Sequence, residues 1–542
     1  MDRREDYCKR DYNYYETRAA DVNLDDITSN EDNAEILEKL RDDDATLKWI
    51  TFNSDRGGDF DFVIREGDDL GWLGYFLGKS KQLKEICISD LPEKREQIDE
   101  LIDGLTRNQS IEKLQFWCHK PLKELGPSAA FRNKPKLHEF ELQIKDVFGS
   151  EDARILSSML SFMSLMSFRV EGQEEDLMDV DAEIISALSE HSQLKGLSLD
   201  NVNVGITSCQ ALGTMLKSGA SNLERLDLKY CNINDEGLKL IAAGIDSSSF
   251  LRRLFLMGNE ISDAGMRSLS TALETTNCID YLYLSCNSIS DKGVQALATS
   301  LAKSNLSKLS LWGIKGSITS LGLRSFRCLL RSECCLLKTL ELGDIRINDE
   351  VAIALADGLV GNHSLKKLSI SLKSITRVGR SAFARLLCDT SSINKTYLSN
   401  HTLEHIGSMC IGFNKFHHQK DSAKCKILKF HSDFDMEPLF RWKLKFLPLM
   451  VSWFDPAKFW AHEVDWKIKS PGFFHMEART GVEKENLIAR IRRQRRDLSS
   501  QLGSRKLSAV YQFIRGMPML TVSQIMTTHT CTRKRKIDQL EK

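Results

Sequence analysis

No apolar run in this 542-residue chain approaches the ~18 residues that a membrane-spanning helix needs. The best candidate, Phe446 to Phe454, is short and interrupted by Pro448 and Ser452. Net charge is also missing, with 75 basic residues against 75 acidic ones. The start, Met1-Asp-Arg-Arg-Glu-Asp, is charged where a secretion signal is apolar, so an intracellular protein of the nucleus or cytoplasm is expected, with no membrane contact. Fourteen cysteines are scattered without paired spacing, which predicts reduced thiols rather than a disulfide framework.

Catalytic motifs are lacking as well. The stretch Gly74-Tyr-Phe-Leu-Gly78-Lys-Ser80 ends like a phosphate-binding loop, but the motif needs another glycine at position 73, where Leu73 stands. Cys410, His417, His418, Cys425 and His431 match no common zinc spacing. His462-Glu463 is followed by Trp466 where a zinc-protease helix needs histidine. There is no G-x-S-x-G. The expectation is a protein that is not an enzyme and holds no cofactor and no metal.

What is present is a repeat. Leu223-Glu-Arg-Leu-Asp-Leu, Leu251-Arg-Arg-Leu-Phe-Leu and Ile279-Asp-Tyr-Leu-Tyr-Leu start 28 residues apart in both steps, and each is followed by Asn232, Asn259 or Asn287. Alternate residues of the L-x-x-L-x-L stretch point inward, as a short strand requires. The asparagine is expected to bond backbone groups where the chain leaves the strand. Ser262-Asp263 and Ser290-Asp291 then read as helix starts, with an acid at the positive end of the helix dipole. Leu238, Ile241, Ala242 and Ile245 form one apolar stripe at helical spacing, and Met266, Leu269 and Leu273 form the next.

Strand plus helix in each unit resembles the leucine-rich repeat, in its ribonuclease-inhibitor-like subclass. Weaker copies begin at Leu47, Leu83, Ile111, Leu137, Leu165 and Leu194 upstream, and at Leu306, Leu337, Leu365 and Ile393 downstream. The resulting fold class is an α/β leucine-rich-repeat solenoid of about a dozen repeats over residues 47–410, a horseshoe with parallel strands inside and helices outside. The Gly- and Asp-rich stretch from Asp55 to Asp69 reads as a loop.

The two ends differ from the array and from each other. Residues 1–46 hold 15 acids against 7 bases without core-forming periodicity, and read as a disordered or loosely docked arm carrying Tyr7, Tyr12, Tyr14 and Tyr15. Residues 415–542 hold 26 bases against 13 acids. Within them, residues 411–480 carry Trp442, Trp453, Trp460 and Trp466 and suit either a solenoid cap or a separate partner-binding module. Residues 481–542 form a basic helical segment and tail. Arg490 to Arg496 is a candidate for weak nucleic-acid contact. Arg533, Lys534, Arg535 and Lys536 are a candidate nuclear-import signal. Leu447-Pro-Leu-Met-Val-Ser-Trp-Phe-Asp455 and Lys506-Leu-Ser-Ala-Val-Tyr-Gln-Phe-Ile-Arg-Gly-Met-Pro-Met-Leu520 resemble the carboxy-terminal signature of uncharacterised leucine-rich-repeat families of diatoms. That resemblance implies an array with a tail and brings no activity.

The residues between the strand leucines give the candidate partner site: Arg225, Asp227 and Lys229, then Arg253, Phe255 and Met257, then Tyr281 and Tyr283, then Lys308 and Trp312. At ~4.8 Å between strands they form one patch roughly 15 Å across. Aromatic residues clustered with arginine are the composition of a binding hot spot. Glu139, Glu141 and Gln143 mark a locally acidic stretch further upstream. The expected function is a protein-binding scaffold. The alternatives are a GTPase activator, similar to the Ran-type horseshoes, and a substrate receptor of a ubiquitin ligase.

Overall fold

Leucines spaced for a strand and then for a helix produce that alternation along the chain. The computed structural model describes residues 10–407 except 54–59, 66–68, 93–94, 145–147, 174–178, 219–221, 315–317, 333, 388, 390–398 and 401. Its strands are β1 Trp49–Asn53, β2 Asp61–Val63, β3 Glu85–Ile88, β4 Lys113–Phe116, β5 Glu139–Gln143, β6 Ser167–Glu171, β7 Gly196–Asp200, β8 Arg225–Lys229, β9 Arg253–Phe255, β10 Tyr281–Tyr283, β11 Lys308–Ser310, β12 Thr339–Leu342, β13 Lys367–Ile370 and β14 His405–Ile406. The helices are α1 Tyr12–Arg18, α2 Glu31–Arg41, α3 Leu70–Lys79, α4 Arg95–Arg107, α5 His119–Leu125, α6 Ser150–Leu160, α7 Ala182–Ser189, α8 Ile206–Lys217, α9 Asp235–Ile245, α10 Asp263–Thr275, α11 Asp291–Leu301, α12 Ser320–Arg331, α13 Asp349–Gly358 and α14 Arg377–Leu387.

The chain divides into two compact units, Met1–Arg346 with Ser364–Ser371, and Ile347–His363 with Leu372–Lys542. In the first, the strands form one sheet ordered from β13 down to β3, then β1 and β2. Neighbours are parallel, and leucine stands beside leucine: Leu226 by Leu254, Leu254 by Leu282, Leu282 by Leu309. All four are fully buried. In the second unit, Asp349 at the start of α13 accepts the Thr376 and Gly379 backbone N–H groups ahead of and within α14. Asn400 donates to the carbonyls of Leu359 and Asn362.

Two hydrogen-bond ladders join the central repeats. Asn259 accepts from the backbone N–H of Cys231 and Ile233, each at 3.0 Å, and donates to Leu228 O at 2.7 Å and Leu256 O at 3.0 Å. Asn287 does the same one repeat on, accepting from Ile261 N and donating to Leu256 O and Leu284 O. Asn232 does not belong to this ladder: it is exposed with φ +53°. The equivalent position, three residues after the last strand leucine, is the buried Cys231, whose thiol reaches Leu199 O. Aspartates form the second ladder. Asp235 accepts from Ser262 N, Ser262 Oγ and Gly265 N, and Asp263 accepts from the matching Ser290 and Gly293 groups. Each aspartate therefore caps the next repeat's helix as well as starting its own. A side chain at Gly265 would put Cβ 2.6 Å from Asp235 Oδ1, so the ladder requires glycine there.

Residues 10–46 are not a tail. Asn23 and Asn30 cap a short 3-10 turn, Leu24–Asp26, and α2. Ile36, Leu37 and Leu40 of α2 are buried. Asn33 inserts its amide against the edge of β2, donating to Val63 O at 2.8 Å and accepting from Val63 N at 2.9 Å. This covers the sheet edge that would otherwise template another strand. Tyr15 of α1 is buried on α3, its ring edge-on to Trp72 at 5.0 Å and its hydroxyl donating to Glu100 at 3.1 Å. The acidic count misled because Glu31, Asp32, Glu35 and Glu38 all lie on the exposed face of α2. The stretch expected as a loop also differs: it contains β2, parallel to β1. Ile393 lies outside the described residues, and the last described strand, β14, follows buried Leu403 instead.

Candidate partner-binding wall

The parallel register lines up the outward-facing side chains of β8–β11 in rows. One row is Arg225, Arg253, Tyr281 and Lys308, and the next is Asp227, Phe255, Tyr283 and Ser310. Beyond the strands the ladder continues, Tyr230 N donating to Met257 O, Gly258 N to Ser285 O and Cys286 N to Trp312 O. Lys229, Met257, Ser285 and Trp312 thus follow as a third row. The structure brings all ten predicted partner-site residues onto one wall of the first unit.

At its centre the rings of Phe255 and Tyr283 stack with centroids 4.4 Å apart and planes within 12°. Cations close both ends of the stack. The Arg225 guanidinium lies 4.7 Å from the Phe255 ring centre, with Lys229 Nζ at 5.5 Å, and Lys308 Nζ lies 4.9 Å from that of Tyr283. Each cation is tied down by a carboxylate. Asp227 takes Arg225 at 3.0 Å and Lys229 at 2.8 Å, and Glu341 takes Lys308 at 2.7 Å. Burial acts against the Lys308 charge, but its bonds to Glu341 and Tyr283 prevail and raise its pKa. Arg253 lies 5.8 Å from the ring of Tyr281, which is exposed.

Asp227 departs from the sequence reading. Its side chain is 0% exposed, so it holds Arg225 and Lys229 in place and offers no surface to a partner. Among the described residues its Oδ1 is buried with no hydrogen-bond partner. Asp200, next to it, is pushed up by burial and by the Asp227 carboxylate, against Lys229 and Arg169. The acidic stretch of β5 is also partly neutralised: Glu141 pairs with Arg169 at 3.5 Å and Lys113 at 3.7 Å, and accepts from Gln115 at 2.9 Å.

One surface residue escaped the sequence reading. Tyr230 is exposed beside Lys229 and sits at φ +53°, a conformation that costs an ordinary residue ~1–2 kcal/mol. Its ring covers Gly258, where an added Cβ would lie 2.2 Å from Tyr230 Cδ1. The usable signal was the residue two places after the last strand leucine. Gly258 and Gly313 hold that place in other repeats, and a large aromatic side chain is unusual there.

Gly74 and Gly78 lie within α3, not in a phosphate loop, and Gly74 packs against α4: an added Cβ would meet Glu100 O at 2.5 Å. Among the described residues no cluster of three metal-ligating side chains occurs, and no helix is long and apolar enough to cross a membrane. Cys410, His417, His418, Cys425, His431, the four late tryptophans, Arg490 to Arg496 and Arg533 to Lys536 lie outside the described residues.

Parallel strands alternating with helices, joined by ladders of the same residues, define an α/β solenoid. The chain is a leucine-rich-repeat protein: residues 277–298 match the family described as Leucine Rich repeat, and residues 173–274 match the PRAME C-terminal domain. Similar solved structures include an internalin of Listeria monocytogenes, 16% identical, with a TM-score of 0.37, covering 67% of this chain and 95% of that one. The Rad7–Elc1 complex of yeast is 16% identical with a TM-score of 0.36, covering 68% and 90%. Actin-binding site 2 of leiomodin-1 is 17% identical with a TM-score of 0.26, covering 29% and 90%. No curated protein matches the chain.

Proposed function

We propose that this protein is a recognition scaffold that grips a protein partner on the wall formed by β8–β11, without catalysing a reaction of its own. The observation that carries this reading is the Phe255–Tyr283 stack, clamped between cations that buried carboxylates hold in place. Side chains fixed before binding lose little rotamer freedom on binding, which raises the affinity each contact returns. Tyr281, Tyr230 and Arg253 extend the same wall with exposed surface. One strand and one full helix per repeat fit the ribonuclease-inhibitor-like subclass. Cysteines scattered without paired spacing fit an intracellular setting.

The reading is tested by immobilising the full chain, crosslinking the partner captured from source-cell extract, and quantifying that same partner on Tyr283→Ala and Trp312→Ala. Each variant is expected to weaken capture by about 2 kcal/mol, roughly thirtyfold. Melting temperature should stay near the parent value. Normal capture by both folded variants overturns the assignment of the wall.

A further inference from the structure

The wall of the first unit is electrically two-sided. Over β3–β7 five acids, Glu85, Glu139, Glu141, Glu171 and Asp200, face two bases, Lys113 and Arg169. Over β8–β11 four bases, Arg225, Lys229, Arg253 and Lys308, stand against one acid, the buried Asp227. The halves meet where Lys229 reaches Asp200 at 3.6 Å. Among the described residues Arg253 is exposed and has no carboxylate within ion-pair distance.

We propose that this wall takes one extended segment of a partner protein whose charge runs the opposite way. Acidic residues alternating with apolar ones lie over β8–β11, and basic residues lie over β5–β7. The proposal rests on the recognition function above and names the chemistry of the partner. The faces of Phe255 and Tyr283 are occupied by each other and by cations, so their ring edges are what a partner meets. Ring edges carry the positive end of the aromatic quadrupole and, beside four bases, suit carboxylates. Met257 and Trp312, both half-buried, supply the apolar contact. From β5 to β11 is six strand spacings of ~4.8 Å, so about nine extended residues of partner span both halves. A nucleic acid fits worse, because its phosphates would have to cross the carboxylates of Glu139, Glu141 and Glu171.

The test measures fluorescence anisotropy of the full chain at low salt with labelled peptides of about twelve residues, long enough to span both halves. The probes are an alternating Glu/Leu block joined to an alternating Lys/Ser block in either order, a scrambled peptide of the same composition, each block alone, and a single-stranded RNA of similar length. One of the joined-block peptides is expected to bind at least about tenfold tighter than the scrambled one. Arg253→Glu should weaken that peptide and the Glu/Leu block at least about fivefold, and Glu139→Lys should weaken that peptide and the Lys/Ser block by a similar factor. Unchanged melting curves of both variants certify the fold. Equal binding of joined and scrambled peptides overturns the proposal, as does affinity that neither substitution moves. RNA that binds tighter than the peptides and is lost in Arg253→Glu overturns it in favour of nucleic acid. None of these outcomes touches the Tyr283→Ala capture result, so the recognition function can stand when the charge polarity falls.

Discussion

The central repeats, β8 to α11, and the amino-terminal end, α1 to α4, both join strand to helix, but with different bonds. In the centre the same contacts recur one repeat on, each bridging 26 to 31 residues: Asn259 to Cys231 and Leu228, Asn287 to Ile261 and Leu256, Asp235 to Ser262, Asp263 to Ser290. At the amino-terminal end each contact occurs once. Arg10 meets Asp69, Tyr15 meets Glu100, and Asn33 meets Val63. The centre is stabilised by polar ladders that satisfy buried backbone groups. The end is stabilised by an aromatic cluster in which Trp72 lies within 6 Å of Tyr15, Tyr75 and Phe76. A repeat must satisfy its neighbour on both sides, so its determinants become periodic. A terminal element has one neighbour and needs only to fit it.

The sharpest way to separate the two regions is to damage each and see how far the damage spreads. Trp72→Ala removes the centre of the aromatic cluster and should cost about 4 kcal/mol. Because a solenoid is coupled only to neighbours, hydrogen exchange should rise over residues 10–80 and stay low over β8–α11. Asn259→Ala should cost about 3 kcal/mol, since two N–H groups and the Leu228 carbonyl lose their Asn259 partner in a buried turn, while Leu256 O keeps its bond from Asn287. Its exchange should rise on both sides of β9 while the amino-terminal end keeps its protection. Uniform loss of protection in both variants would mean that the two regions unfold as one.

These contacts also show what could be read in advance. Leu226, Leu254, Leu282 and Leu309 were legible because burial of a strand face imposes period two and the repeat imposes about 28. Asn259 and Asn287 were legible because the same residue recurred at the same offset. Asn232 misled because identity was followed rather than spacing from the strand leucine, and spacing selects Cys231. Asn33 was not legible, since an amide that mimics a strand edge leaves no pattern in sequence. On the wall, alternation placed Phe255 and Tyr283 correctly. It could not tell that Asp227 is covered by the basic residues flanking it, because burial of a short side chain depends on longer ones beside it.

A smaller effect probes the aspartate ladder alone. Gly265→Ala drives a methyl into Asp235 Oδ1, which already holds two backbone N–H groups, and should cost about 2 kcal/mol. With Asp235→Ala in the same chain the two losses should fall short of additive, because the second removes the atom the first collides with. Full additivity in urea unfolding would show that the glycine is required for another reason.

The smallest effect is a difference in acid sensitivity between the regions. Burial works against the Asp263 charge, but the Ser290 hydroxyl and the Ser290 and Gly293 N–H groups outweigh it and hold the carboxyl below its ordinary range. In the unfolded chain the same group titrates near ~3.9. Its contribution is therefore fully present above that value and is lost as pH falls through the lower folded value. Asp263→Asn cannot titrate, so it should lower the urea midpoint at neutral pH and reduce the further fall below pH ~4. At the amino-terminal end Glu16 is held down to about 2, first by its bond to Lys79 and then by the Tyr75 and Tyr12 hydroxyls. Its side chain is open to solvent, which screens the interaction, so Glu16→Gln should leave the acid limb nearly as steep as in the parent. If Glu16→Gln flattens that limb more than Asp263→Asn does, acid sensitivity belongs to the aromatic end and the central ladder is held by hydrogen-bond geometry rather than by charge.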